Sequence, residues 1–165
     1  MPSIQQQHAQ RWESHIRKQC RTLLKGRRAL VDKNWEAPKV PGKQIKREKS
    51  KPDFSGLVLH GPLAGRHVVF EAKATMERER FDFSLIQDHQ AEHLSIASTG
   101  GALSFVYVLD GFGFQWVLPW PWIQHEMDLG IASLQFDDWP SGLRERGETW
   151  LDVCERLDAQ EVYKW

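Results

Sequence analysis

The chain has 165 residues, of which 41% are hydrophobic and 11% aromatic, enough for one domain with its own core but not for two of ordinary size. It contains no apolar run of about eighteen residues, and its polar first ten residues lack the apolar core of a secretory signal. The net charge is zero, yet residues 1–51 carry 14 basic against 4 acidic side chains, and residues 52–165 carry 8 against 18.

This charge asymmetry predicts an anionic partner for the first third of the chain, and nucleic acid is the commonest such partner. The alternative is a solvated basic surface that the acidic remainder neutralises after folding. Cys20 and Cys154 lie far apart and without metal-type spacing, so we expect a reduced, cytoplasmic setting, that of the host if the gene belongs to a phage. We expect no membrane partner.

Hydrophobic periodicity predicts an amphipathic helix over residues 3–26 and a strand over residues 29–35. Residues 37–51, with two prolines, a glycine and six basic side chains, predict a loop or projection between the first two strands. Residues 53–59 and 66–74 are two apolar runs separated by His60–Gly65, which is a hairpin pattern.

After the hairpin we expect a polar stretch over residues 75–80. Ser84-x-x-Gln87 has capping-box spacing and predicts a helix through residue 98. Strands over residues 102–109 and 114–118, a short helix over residues 119–128 and an amphipathic helix over residues 141–158 complete the chain. The order α-β-β-β-α-β-β-α predicts an α/β domain over residues 1–165 with a mixed central sheet flanked by helices.

Glu71 and Lys73 stand out because residues two apart in a strand share a face, and charges held amid Val68, Val69 and Phe70 are costly without a partner. If the turn is centred near Leu63, Asp53 lies opposite Lys73, and two carboxylates and an ammonium form one cluster. Two carboxylates at this spacing suit Mg²⁺ or Mn²⁺, which activates water and neutralises phosphate charge. The bland alternative is a surface salt bridge between Glu71 and Lys73.

Pro52-Asp53 followed by Phe70-Glu71-Ala72-Lys73 resembles the PD-(D/E)xK nuclease signature. Four blocks in order, at residues 53–56, 69–75, 83–94 and 101–106, are similar to those of the RecU-like Holliday junction resolvases. The resemblance spans about residues 10–125, and its most specific part is the long block that ends in His89-Gln90-x-x-His93-Leu94. It implies a homodimeric, metal-dependent endonuclease of DNA recombination and repair with a restriction-endonuclease-like core.

Carried over at matching positions, the resemblance implies Asp53 and Glu71 as magnesium ligands, with Glu13 completing the metal site. It implies catalytic roles for Asp53, Glu71, Lys73 and Gln90. The basic projection would enter the junction, as in the family, and its charge suits phosphates. The candidate DNA-binding residues are Lys39, Lys43, Lys46, Arg47, Lys49 and Lys51 of the projection, with Arg17 and Arg21 of the first helix.

Three other interpretations stay open on sequence alone. His89-x-x-Glu92-His93 matches an inverted zinc peptidase pattern, but the third ligand that such a site requires is not evident. The aromatic run at residues 112–122 can stack bases, although Trp116 and Trp120 are better explained as core or dimer contacts. Finally, the domain could be a nuclease for other DNA substrates, or a branched-DNA-binding module whose carboxylates are structural.

Overall fold

The computed structural model describes residues 2–34 and 52–160. Within these ranges the chain forms four α-helices and seven strands, interspersed with short 3₁₀ turns. In chain order they are α1 (Ile4–Lys25), β1 (Ala29–Lys33), β2 (Phe54–Val58), β3 (His67–Ala74), β4 (Arg80–Asp82), α2 (Asp88–Thr99), β5 (Leu103–Leu109), β6 (Gln115–Pro119), α3 (Trp120–Asp128), β7 (Ser133–Gln135) and α4 (Trp150–Ala159).

Five strands form the central sheet, in the order β1-β2-β3-β5-β6. The β1–β2, β2–β3 and β5–β6 pairs are antiparallel, whereas β3 and β5 are parallel and joined through α2. The predicted α/β class with a mixed central sheet is therefore confirmed. The short helix predicted over residues 119–128 is present as α3, and β4 and β7 form a separate two-stranded sheet that the sequence did not predict.

Helices cover both faces of the central sheet. On one face, Trp12 of α1 packs against Tyr107 and Trp150 of α4 packs against Phe70, with ring centroids 4.6 and 5.6 Å apart. Helices α2 and α3 lie on the opposite face and are joined by a hydrogen bond from Trp120 Nε1 to Ser95 Oγ. This second face is the one that carries the candidate site.

A row of stacked aromatic rings anchors β3 in the sheet. Phe54, Phe70 and Phe105 are cross-strand neighbours on β2, β3 and β5, with ring centroids 4.9 and 4.6 Å apart. Such pairs contribute about 0.5–1.5 kcal/mol each beyond the area that they bury. The row therefore fixes β3 and, with it, the alternate residues that point to the other face.

The hairpin register differs from the predicted one by two residues. Val58 and Arg66 form the last backbone pair, so the turn is centred on Pro62 instead of Leu63. Phe54 accordingly pairs with Phe70, and Asp53 lies beside Glu71, not opposite Lys73 as the sequence had indicated. Because side chains alternate with a period of two, a shift of two residues in the pairing keeps Asp53 on the predicted face.

Helix α2 begins at Asp88, four residues after the predicted capping Ser84. Instead, Ser84 donates its backbone N–H to Asp82 Oδ1 and lies in a 3₁₀ turn. The chain is anchored before the helix, because Phe83 and Ile86 are buried. Helix α2 is consequently shorter than predicted, but the shift leaves Gln90 in its first turn.

The last helix, α4, also begins later than predicted, at Trp150 with Thr149 as its cap. The preceding segment is drawn to the edge of β6, where Arg144 forms a bridge with Trp116 and Glu145 N donates to Gln115 O. The apolar side of the amphipathic helix predicted over residues 141–158 is nevertheless buried, namely Leu143, Trp150, Leu151, Cys154 and Leu157. No helix in the described ranges is long and apolar enough to cross a bilayer.

Candidate active site

Asp53 reaches the site from the start of β2. Its Oδ2 accepts a hydrogen bond of 3.0 Å from the backbone N–H of Ala72, the residue between Glu71 and Lys73. Asn34 holds the segment around Asp53 in place: its backbone N–H donates to Asp53 O, its Nδ2 to Pro52 O at 2.7 Å, and its Oδ1 accepts from Ser55 Oγ. We did not predict a role for Asn34, because its partners lie eighteen or more residues further along the chain.

Gln90 links the two charged residues of β3. Its Nε2 donates to Glu71 Oε2 at 2.6 Å, and its Oε1 accepts from Lys73 Nζ at 2.7 Å. The same Oε1 also accepts from the backbone N–H of Gln87 at the start of α2. The amide therefore has one orientation, with its oxygen toward two donors and its nitrogen toward a carboxylate.

The charges of this cluster are strongly perturbed. Burial raises the pKa of Glu71 well above its usual range, and the neighbouring Asp53 carboxylate raises it further, although Lys73 opposes the shift. Burial likewise lowers the pKa of Lys73, against the attraction of Glu71 and Asp53. A carboxylate with a raised pKa beside an amine with a lowered pKa is typical of functional sites, where a desolvated group has a specific charged partner.

The same cluster fits a hard divalent cation. Glu71 is fully buried, and its Oε1 has no hydrogen-bond partner among the described residues. A cation held by Asp53 and Glu71 would satisfy this oxygen and remove the repulsion between the carboxylates. The described residues contain no group of three or more His, Cys, Asp or Glu side chains arranged for a metal, so water or phosphate oxygens would complete the shell.

Glu13, the predicted third metal ligand, is engaged elsewhere. Its carboxylate pairs with Arg17 at 2.8 Å and with Lys33 of β1. Burial acts to raise the pKa of Glu13, but hydrogen bonds and charge attraction from Lys33 and Arg17 lower it overall. The geometry thus brings together Asp53, Glu71, Lys73 and Gln90. Glu13 instead forms ion pairs with two basic residues, so the metal-binding role of Glu13 stays a prediction.

A basic cleft opens between α1 and β1. Its volume is about 550 Å³, and it is lined by Arg17, Arg21, Lys33 and Asn34 among others. Asn34 connects this cleft to the segment that carries Asp53. The other DNA-binding candidates, Lys39, Lys43, Lys46, Arg47, Lys49 and Lys51, lie outside the described residues.

The residues of the histidine and tryptophan patterns lie on helix α2 and in the core. His89 and His93 lie on α2, both are partly buried, and His93 Nδ1 has no hydrogen-bond partner among the described residues. They belong to no metal-type cluster within those residues. Trp116 and Trp120 are buried in the core as predicted.

The chain matches the family described as Recombination protein U over residues 13–118. It belongs to this family of Holliday junction resolvases. Among curated proteins no significant match is found. A solved structure of Hjc, a Holliday junction resolvase from Archaeoglobus fulgidus, is similar at 17% sequence identity over 68% of this chain and 77% of that chain, with a TM-score of 0.43. Membership of the family supports a junction-resolving nuclease activity, and the matched region contains Asp53, Glu71, Lys73 and Gln90.

Proposed function

We propose that this protein is a homodimeric, Mg²⁺- or Mn²⁺-dependent endonuclease that resolves Holliday junctions by symmetric phosphodiester hydrolysis. One observation carries the proposal: Gln90 hydrogen-bonds both Glu71 and Lys73 beside Asp53, within a chain of the resolvase family. A structural salt bridge on a strand would need neither a buried carboxylate with an unsatisfied oxygen nor an amide that bridges it to the lysine.

Each side chain has a distinct task in this mechanism. Asp53 and Glu71 bind the cation, which when bound supplies Lewis acidity toward the scissile phosphate and lowers the pKa of a water molecule. Lys73 presents its Nζ at the same face, where it stabilises the charge that develops on the phosphate oxygens. Gln90 fixes the orientation of both Glu71 and Lys73, so the site is organised before the substrate arrives.

Junction selectivity requires more than this cluster, because the site itself contacts only a phosphodiester. Two antiparallel strands must be cut at matching positions, which two active sites related by a dimer axis can do. The basic side chains of residues 37–51 and of the cleft beside α1 supply the attraction to converging phosphates. Such binding should weaken steeply as salt rises.

The decisive experiment compares a mobile four-way junction with a linear duplex of the same sequence. Each is incubated with purified protein in Mg²⁺, in Mn²⁺ or in chelator. We expect paired nicks in opposing strands of the junction with either metal, little cutting of the duplex, and none in chelator. Asp53→Asn should abolish cutting while retaining junction binding, and Asp137→Asn, at an exposed position, is the matched control.

Each outcome bears on a different part of the proposal. Equal cutting of junction and duplex would show a nuclease of broader substrate range. Metal-independent junction binding with no cutting under any metal would favour a branched-DNA-binding module. Cutting that survives Asp53→Asn would place the active site elsewhere.

A further inference from the structure

The turn between β5 and β6 presents two phenylalanines to solvent. Phe112 is 60% exposed and Phe114 is 39% exposed, although the two strands that this turn connects are largely buried. Their ring centroids lie 6.2 Å apart. We call Phe112, Phe114 and the two arginines that contact them, Arg78 and Arg144, the aromatic tip.

Hydrogen bonds hold the backbone of the turn that carries Phe112 and Phe114. The buried Asp110 accepts hydrogen bonds from the backbone N–H groups of Phe112 and Phe114 and from Trp116 Nε1. Gly111 donates its N–H to Glu77 O, and a Cβ at this position would lie 2.4 Å from Met76 O. A turn whose backbone is held in this way loses little backbone entropy when its exposed aromatic rings bind a partner, which favours a recognition surface.

Cationic groups accompany both rings. The guanidinium carbon of Arg144 lies 3.3 Å from the ring centroid of Phe114, and that of Arg78 lies 5.4 Å from the ring centroid of Phe112. Aromatic rings next to arginine are the combination by which proteins stack nucleobases and neutralise the flanking phosphates. An apolar protein partner, by contrast, would have to desolvate both guanidinium groups.

The aromatic tip and the candidate active site lie at the same end of the strands of the central sheet. Strands β3 and β5 are parallel, Lys73 is the neighbour of Val108, and Phe112 follows Val108 by four residues. At a rise of about 3.3 Å per residue, the tip lies within about 13 Å of Lys73 along the strand direction. This corresponds to about four stacked nucleotides at roughly 3.4 Å each.

We infer that the aromatic tip stacks against an unpaired base of branched DNA within about four nucleotides of the scissile phosphate. The inference rests on the proposed function, since it assumes DNA bound at Asp53, Glu71 and Lys73. Bases inside a duplex have no free face, whereas bases at the branch point can unstack. Phe112 and Phe114 would thereby favour branched over linear DNA, with Arg78 and Arg144 contacting the adjacent phosphates.

The test compares two four-way junctions that differ only in the bases at the branch point, one intact and one with abasic sites. Binding is measured in the Asp53→Asn background, so that cleavage does not intervene. Phe112→Ala should raise the Kd for the intact junction about five- to tenfold and leave the Kd for the abasic junction unchanged. Phe112→Trp should retain the base-dependent binding, because it restores an aromatic face.

Ile96→Ala is the matched control, because Ile96 is 65% exposed but lies on α2 away from the tip. It should alter neither Kd. The inference is overturned if Phe112→Ala weakens both junctions equally or neither. A change in oligomeric state on sedimentation, without a base-dependent change in Kd, would overturn it in favour of a protein interface.

The proposed nuclease activity and the proposed stacking role of the aromatic tip can fail independently. If the wild-type protein cuts junctions but Phe112→Ala causes no base-dependent loss of binding, the proposed function is retained and the stacking role of the aromatic tip is refuted. A protein that shows the base-dependent loss but never cuts refutes the nuclease and retains the tip. A protein that binds neither junction refutes both.

Discussion

Gln90 of helix α2 donates a 2.6 Å hydrogen bond to Glu71 of strand β3. Oε1 of the same carboxylate, by contrast, is buried and has no hydrogen-bond partner among the described residues. The amide is therefore the partner that orients the carboxylate before any cation binds. This relationship leads directly to the first prediction.

Gln90→Glu should lower the junction cleavage rate about 10- to 100-fold, the usual effect of disrupting a group that orients a metal ligand. The new carboxylate keeps an acceptor for Lys73 but sets a like charge against Glu71. Single-turnover cleavage at saturating protein measures the effect. Gln124→Glu, an identical charge change at an exposed position of α3, should leave the rate intact. Wild-type cleavage by Gln90→Glu would contradict a positioning role.

Lys73→Met should lower the rate of cleavage about 100- to 1000-fold, because it removes a charged donor aimed at the developing phosphate charge. The fold should tolerate the change, since burial already disfavours the ammonium and lowers the pKa of Lys73. Thermal unfolding alongside single-turnover cleavage separates the two effects. Lys25→Met, at the exposed end of α1, provides the comparison. Equal losses of stability and rate would point to a structural lysine.

Divalent metal should raise the Tm of the protein. A ligand at one hundred times its Kd adds about 2.7 kcal/mol of stability, or about 5–10 °C for a domain of this size. Asp53→Asn should lose most of this shift in Mn²⁺ titrations, and Asp137→Asn should retain it. An equal shift in both variants would show that the cation binds away from Asp53.

Gly56→Ala should destabilise the protein by about 3 kcal/mol or more and abolish cleavage. A Cβ at Gly56 would lie 2.0 Å from Leu30 O and 2.6 Å from the Cα of Val31, so β1 and β2 would have to separate. Urea unfolding measures the loss. At Gly100 the nearest atom to a Cβ is 3.4 Å away, and Gly100→Ala should be tolerated far better. Similar stabilities for the two variants would exclude close strand approach as the reason for Gly56.

Stability should fall in acid partly through Asp152. Burial acts to raise the pKa of Asp152, but hydrogen bonds from Thr149 and attraction to Arg28 lower it overall. A lowered pKa in the folded state means that this stabilisation is present above the unfolded pKa of about 3.9 and is lost as pH falls through the folded value. Urea midpoints between pH 7 and pH 2.5 should fall less steeply for Asp152→Asn than for wild type, with Asp128→Asn as control. An equal dependence of the urea midpoint on pH in Asp152→Asn and wild type would refute this role of Asp152.

Local sequence patterns are sufficient to predict which residues share a face. Because side chains alternate along a strand, Glu71 and Lys73 point to the same face. Asp53 lies on that face as well, since the hairpin register differs from the predicted one by two residues, an even number. The α/β class and the burial of Trp116, Trp120 and the α4 residues followed from hydrophobic periodicity. These features depend on local geometry, which a pattern of residue types encodes.

The contacts that complete the cluster of Asp53, Glu71 and Lys73 are set by the packing of distant elements. The hydrogen bonds of Gln90 to Glu71 and Lys73 depend on where α2 crosses the sheet, and that in turn depends on where the buried Phe83 and Ile86 anchor the preceding turn. The pairing of Glu13 with Lys33 and the clamp of Asn34 on Pro52 join residues far apart in the chain. No local pattern specifies such contacts, because they are set by the packing of whole elements.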